Sequence, residues 1–264
     1  PTLPRRWELR QLATGTTRIW QEVQSVTFSP TSSHLVLRRR PPTPAGGAAP
    51  AGGANAARGV DVIVHDLATG RSQFLGSVGE LAYNKGGTML AYTVDAAVRD
   101  GNGVFLLDLT TSRIEPLDND SLRYSRLTWN DAGTGLAVLK GREVEKMRER
   151  NNRLVVFGNL AATRTPAVLD PATTAGFPKG FVVSERATLD WSDDGQRVYL
   201  GIMPQTAAPD TAKKKSTDSI ADVDVWRTQD ERIQSQQMIQ AESDRNRTFR
   251  QAFAHPGRYI TLTD

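Results

Sequence analysis

The chain has 264 residues, 38% of them hydrophobic, with 33 basic against 29 acidic side chains, a formal net charge of +4, and no cysteine. The basic residues are scattered along the chain, so a nucleic-acid surface is not indicated; without cysteine there is no disulfide or cysteine-ligated metal, and the redox compartment stays open. No apolar run approaches the roughly 20 residues of a membrane helix; the chain starts inside a strand-like pattern with no visible signal segment, so any targeting segment is expected to lie outside it.

The first element is a β-ribbon, Trp7 to Leu12, turning at Ala13-Thr14-Gly15 and returning through Thr17-Arg18-Ile19. A second kind follows, in which Phe28-Ser29-Pro30 leads into His34-Leu35-Val36-Leu37. The two kinds then alternate. The first recurs as Val60 to Leu67 with its turn at Ala68-Thr69-Gly70, as Val104 to Leu109 with Thr110-Thr111-Ser112, and as Leu154 to Phe157 returning at Val168-Leu169. The second recurs as Tyr83-Asn84-Lys85-Gly86-Gly87 before Met89-Leu90-Ala91-Tyr92, and as Trp129-Asn130-Asp131-Ala132-Gly133 before Leu136-Ala137-Val138-Leu139. Its last copy is Trp191-Ser192-Asp193-Asp194-Gly195 before Val198 and Leu200. In the last copy Asp and Ser side chains can bond nearby amides and Gly195 can take positive φ without a Cβ penalty, so this stretch is a hairpin turn with a mechanism. Leu189 and Trp191 before the last turn, and Val198 and Leu200 after it, partly alternate with polar residues, the period of a half-buried strand. The modest hydrophobic content likewise favours strands with one wet face.

The aromatics Phe28, Tyr83, Trp129 and Trp191 recur at intervals of roughly 45–60 residues in segments built only of short strands, the pattern of a β-propeller. One ribbon of each kind makes a four-stranded blade. The expected fold is all-β: an incomplete propeller of about four to five antiparallel blades. The expected division sets residues 1–24 as the outer hairpin of an incomplete blade, 25–76, 79–117 and 125–170 as blades, and 186–264 as a blade with a long insertion. The unpaired first ribbon places its partner strands outside the chain, since open edges are a liability. Pro41 to Gly59, rich in Pro, Gly and Ala, reads as a flexible loop. Gly141 to Asn152 reads as a charged excursion, a short helix or an extended loop tip. Thr206 to Ser219 reads as a solvated loop, and Thr228 to Arg247 as either helix or irregular strand.

Val223-Asp224-Val225-Trp226, followed by Asp230, Arg232, Gln234, Gln236 and Gln237, resembles a propeller segment of bacterial serine peptidases of the prolyl-oligopeptidase (S9) family. The relatives are of the dipeptidyl-peptidase or acylaminoacyl-peptidase type, and Asn151-Asn152-Arg153-Leu154 fits the same resemblance. The aromatic-turn ribbons resemble TolB/WD40-like repeats, an architecture shared by many functions. The family resemblance implies a propeller that caps an α/β-hydrolase domain, to which small peptides are admitted, with that domain C-terminal to this segment. It also implies an exported, periplasmic or secreted protein. No Gly-x-Ser-x-Gly elbow occurs, so no catalytic residue is expected in this chain. His34, His65 and His255 lie in ribbons without partner motifs and read as surface or structural. No cofactor or metal is called for, since Asp193 and Asp194 sit in a turn without EF-hand spacing.

Arg142, Glu143, Glu145 and Glu149 are the candidate substrate-binding residues. In dipeptidyl-peptidase relatives, propeller carboxylates hold the substrate's amino terminus, and an ammonium in a desolvated site needs such a partner; the competing reading is a solvated loop of alternating charge. Phe28, Tyr83, Trp129, Trp191, Gly195 and Trp226 are the structural signature, with the four aromatic strand residues expected to pack between blades. The expected function is a non-catalytic propeller that gates access to a peptidase site; the alternative is a TolB/WD40-like scaffold for protein partners.

Overall fold

The computed structural model describes residues 6–41, 57–208 and 234–262. Trp226, the 223–232 part of the family-like segment, most of the Pro/Gly/Ala stretch and Lys213-Lys214-Lys215 lie outside these.

The strands in order are β1 (Arg6–Arg10), β2 (Thr17–Gln21), β3 (Val23–Phe28), β4 (His34–Arg39), β5 (Val60–Asp66), β6 (Ser72–Tyr83), β7 (Met89–Val94), β8 (Gly103–Asp108) and β9 (Arg113–Asn119). They continue as β10 (Arg123–Trp129), β11 (Leu136–Arg142), β12 (Asn151–Phe157), β13 (Ala167–Leu169), β14 (Phe181–Val183), β15 (Asp190–Trp191), β16 (Arg197–Pro204), β17 (Phe249–Ala254) and β18 (Arg258–Ile260). A helix, α1 (Gln234–Arg245), precedes β17. All pairings are antiparallel between neighbours: β1–β2, then β3 through β9 in order, then β10 through β13, then β14 and β15 both on β16, followed by β17 and β18. The protein is all-β, an incomplete propeller of four-stranded sheets with one two-stranded ribbon at its start.

The recurring turn has one construction. The side-chain oxygen just after each aromatic accepts the backbone N–H groups four or five residues on. Asn84 Oδ1 accepts from Thr88 and Met89 (both 3.0 Å), and Asn130 Oδ1 from Thr134 and Gly135 (both 2.9 Å). Ser29 Oγ takes Ser33 and His34 (both 3.0 Å), and Ser192 Oγ takes Arg197 (2.9 Å). The left-handed residue of these turns is Ser32, Gly87, Gly133 or Gly195, with φ of 55, 65, 70 and 65°. Only glycine adopts that conformation freely, which explains three of the four choices.

Two boundaries differ from the sequence reading. β6 runs unbroken from Ser72 to Tyr83, its first half on β5 and its second on β7, so no gap separates 76 from 79. The strand turns the corner at Ser77 (φ 52°) with register shifts on both sides of Val78. The last sheet starts at Phe181 rather than near residue 186, because its inner strand is split into β14 and β15 by residues 184–189.

The middle strands of the blades are not half-wet. Alternate residues on one strand enter different cores: on β11, Leu136 and Val138 join one cluster while Ala137 and Leu139 join the next. On β12, Val155 and Phe157 face one way and Leu154 and Val156 the other, and on β8 Val104 and Leu106 oppose Leu107. A blade sandwiched between two others has apolar neighbours on both faces, so period-2 geometry yields unbroken apolar runs. The half-buried period holds only at the start of β16, where Val198 and Leu200 are buried and Tyr199 between them is half-buried under Arg250, whose guanidinium carbon is 4.4 Å from the ring centroid; from Leu200 to Met203 the strand is buried on both faces.

The aromatic series divides. Trp129 Nε1 donates to the Ala82 carbonyl (2.9 Å) and Trp191 Nε1 to the Thr128 carbonyl (3.2 Å), in each case the residue before the preceding blade's aromatic. Tyr83 occupies the same place, but its buried hydroxyl has no hydrogen-bond partner among the described residues. Phe28 is 52% exposed, contrary to the inter-blade packing expected of it. The ribbon β1–β2, which contributes Leu9 and Trp20 to the core with Val23, Leu35 and Leu37, brings no inner strand among the described residues to cover that ring.

Burial pushes the Tyr83 and Tyr92 phenols up to about 12. Their unfolded value is about 10, and the folded state favours the neutral form. Their contribution is therefore complete below about pH 10 and is lost as pH rises through about 12. A phenolate absorbance titration is expected to show both rings ionising late and together with loss of structure. Tyr83→Phe should remove one of these late transitions at little or no stability cost, because the hydroxyl is an unpaired buried donor. A large destabilisation by this substitution would show that the hydroxyl is paired.

Candidate functional site

Inner strands of the propeller carry bulges, and the bulges aim polar side chains inward. The register shifts between Ser125 and Thr128 on β10, where Arg126 has φ 60°, and β14 and β15 are parted by a loop carrying Glu185 and Arg186. A bulge re-aims the side chain it releases from the ladder. Arg126, Glu185 and Arg186 thereby line one cavity, about 930 Å³ in volume, whose opposite wall is the β11–β12 connection.

That connection is neither a helix nor a free tip. Met147 bridges Ala207, Arg148 N–H donates to Thr206 O (2.8 Å), and Ala208 N–H donates to Lys146 O (2.8 Å), so the excursion pairs with the chain leaving β16. Gln205 closes the pairing: its Nε2 donates to Glu149 O (2.8 Å) and its Oε1 accepts Glu149 N–H (3.1 Å). Arg148 Nη1 donates to Arg245 O (3.0 Å) and Nη2 to Asn246 Oδ1 (2.7 Å), a cation set at the carbonyl end of α1.

Of the four substrate-binding candidates, three line this cavity and one does not. Glu143 accepts from Arg150 Nη2 at 2.9 Å. Glu149, 7% exposed, accepts from Arg186 Nε at 2.7 Å. Glu145 is solvated at 89% exposure with Lys146 at 3.9 Å, an interaction worth little. Arg142, paired across the ladder with Asn151, points into a separate cleft with Lys179 and Phe181.

The residue that organises the cavity is Arg150. One arm reaches Glu143 and the other both carboxylate oxygens of Glu185, at 2.8 and 3.0 Å. Arg126 donates from Nε to the Glu185 backbone carbonyl at 2.6 Å and from Nη2 to the same oxygen. Glu185 therefore gathers two guanidinium groups, one on its side chain and one on its backbone. On β10 nearby, burial lowers the Arg123 guanidinium below its ordinary value, and the positive charge of Arg150 lowers it further. Arg150, Arg126, Glu185 and Arg186 were missed in the sequence. Arg150 stood within the charged excursion and could have been included, whereas nothing local marks Arg126 or Glu185 as inward-facing.

Among the described residues no group of three or more His, Asp or Glu side chains is arranged to hold a metal ion. His34 Nδ1 and His65 Nδ1 pair with Ser33 (2.9 Å) and Ser72 (3.0 Å), and both rings are buried. Asp194 Oδ1 is bonded by Ser192 Oγ (2.5 Å) and by Gln196 N–H (3.0 Å), so this carboxylate builds the turn. No helix among the described residues is long and apolar enough to cross a membrane.

No protein-family model and no curated protein matches the chain. Among solved structures it is similar to the β-propeller domain of the Trilobed protease from Pyrococcus furiosus, at 12% identity and TM-score 0.44, over 97% of this chain and 62% of that one. It is also similar to the tricorn protease, at 12% identity and TM-score 0.42, over 70% of this chain and 16% of that one. The likeness to TolB from Acinetobacter baumannii is 17% identity and TM-score 0.38, over 75% of this chain and 45% of that one. The chain thus spans less than two thirds of each.

Proposed function

We propose that this chain is the non-catalytic propeller portion of an S9-type serine peptidase, gating the access of small peptides to an α/β-hydrolase active site carried C-terminal to it. The observation that supports the reading is the cavity built from inner-strand bulges and the β11–β12 excursion. It is a large, polar, preformed recess on a rigid β-body. The sequence contains no nucleophile elbow, so a chamber wall suits it better than a catalyst. Excluding folded proteins is a steric task that a stack of packed blades performs without chemistry. In this proposal the excursion bearing Arg142, Glu143, Glu145 and Glu149 contacts the peptide. Export to the periplasm or exterior belongs to the same proposal.

The test is a protein carrying this chain together with the reading frame that follows Asp264. It is expected to contain a Gly-x-Ser-x-Gly elbow and to cleave short peptides while sparing folded proteins of the same sequence content. A following frame with no such elbow, or cleavage of large folded substrates at comparable kcat/KM, would overturn the gating role. In the first case a scaffold for protein partners becomes the better reading.

A further inference from the structure

We propose that the cavity between β10, the 184–189 loop and the β11–β12 excursion is an oxyanion-binding site, taking a carboxylate or phosphate group and not an ammonium. Charge balance gives the first argument. The lining includes the cations Arg58, Arg126, Lys146, Arg148, Arg150 and Arg186 against the carboxylates Glu143, Glu145, Glu149 and Glu185, an excess of two positive charges. Commitment of the carboxylates gives the second. Glu143 and Glu185 share Arg150, Glu149 holds Arg186, and the exposed Glu145 has Lys146 beside it. At Glu143, Glu149 and Glu185 an incoming ammonium would have to displace a guanidinium from a partner it already fits, exchanging one ion pair for another with no net gain, and at the solvated Glu145 it would gain little.

An oxyanion meets the reverse situation. The Arg58 side chain has no hydrogen-bond or ion-pair partner among the described residues, although its own N–H is pinned by Asp95 Oδ2 at 3.1 Å. Arg126 directs Nε and Nη2 at one carbonyl oxygen, which leaves its Nη1 arm without a partner among the described residues. Arg123, beside this group, is desolvated and feels the repulsion of Arg150 and Arg58, offset in part by Asp95 at 3.7 Å. A bound anion would relieve that crowding and accept charge-assisted hydrogen bonds from planar guanidinium forks, the geometry that suits carboxylate and phosphate alike. The choice of a peptide carboxylate as the preferred ligand rests on the proposed peptide-gating role; the sign of the charge does not.

The experiment is titration calorimetry on this chain with four probes at low and high salt. They are an N-acetylated tetrapeptide with a free carboxyl terminus, its C-terminal amide, the same amide with one glutamate side chain, and inorganic phosphate. The free acid is expected to bind at least about tenfold more tightly than the neutral amide, with affinity falling as salt rises. Tight binding by the glutamate amide or phosphate supports the site and identifies a side-chain carboxylate or a phosphoryl group as its source. Arg126→Gln should lose about tenfold, and Arg58→Gln about threefold with an unchanged Tm, since Arg58 is exposed and its side chain has no hydrogen-bond or ion-pair partner among the described residues. If Arg126→Gln does not fold, Arg58→Gln carries the decision alone.

Equal affinity for acid and amide, tighter binding of a peptide with a free amino terminus and amidated carboxyl, or no effect of Arg58→Gln would each overturn the proposal. Such an outcome overturns the charge assignment whatever follows Asp264. A following frame without a nucleophile elbow overturns the peptidase reading and leaves an observed oxyanion preference standing.

Discussion

Arg150→Ala is expected to lower the unfolding free energy by about 2–4 kcal/mol, the low end of what breaking a buried ion pair costs, because the three side chains retain some solvent. Arg150 is 15% exposed, and its partners Glu143 and Glu185 are 21% and 26% exposed. Removing the cation leaves two carboxylates on the cavity wall with no other short ion pair among the described residues. Most of the cost lies in that uncompensated charge. The triple change Arg150→Met, Glu143→Gln, Glu185→Gln should therefore recover most of the loss, although it deletes more polar contacts. Urea unfolding of the three proteins measures this. If the single and triple variants are equally destabilised, packing of the arginine stem, not charge, sets its value.

Trp191→Ala should cost about 3–4 kcal/mol, through lost aromatic burial and the cavity left between two blades. The ring packs against the cluster that joins Ala137 and Leu139 of one sheet to Val198 and Leu200 of the next. Trp191→Phe keeps most of that area and loses the Nε1 bond to the Thr128 carbonyl, so about 1 kcal/mol is expected. Phe28→Ala, at a ring half in solvent, should stay below about 1 kcal/mol. The three values rank the aromatic positions by what lies on the far side of each ring. A Phe28 variant as damaging as the Trp191 variant would mean that the first blade has a covering partner in solution.

That ranking also marks how far the repeat could be followed by eye. The recurrence of an aromatic, a turn residue and an apolar strand is written in local chemistry, since Asn84, Asn130 and Ser192 each bond amides within five residues of themselves. Which aromatics are buried is a different question. It depends on whether a neighbouring sheet presents an inner strand, and Phe28 looks like Trp129 until the β1–β2 ribbon is seen to bring none. The continuous apolar run of Leu136 to Leu139 likewise has one sequence meaning only after two flanking blades are in place.

The excursion at Gly141 to Asn152 was recognisable by its charge, and Glu143 and Glu149 do face a cavity. Arg142, which lines a separate cleft, and Glu145, which lies at the solvated rim of the cavity, were indistinguishable from them because alternation on a connection of unknown conformation assigns no direction. The bulge at Arg126 and the split between β14 and β15 leave no compositional trace either, yet they deliver the other half of the lining.

The sequence by itself determined the strand-and-turn grammar, the all-β class and the lack of a nucleophile elbow, because each follows from residues within a few positions of one another. Only the tertiary structure decided which strand faces are dry, where an inner strand bulges, and which carboxylates already hold an arginine. Those outcomes depend on pairings between Glu143 and Arg150 on one connection and Glu185 on the next sheet, or between Trp191 and Thr128 across two blades. Their energies arise only when distant segments are brought together and desolvated.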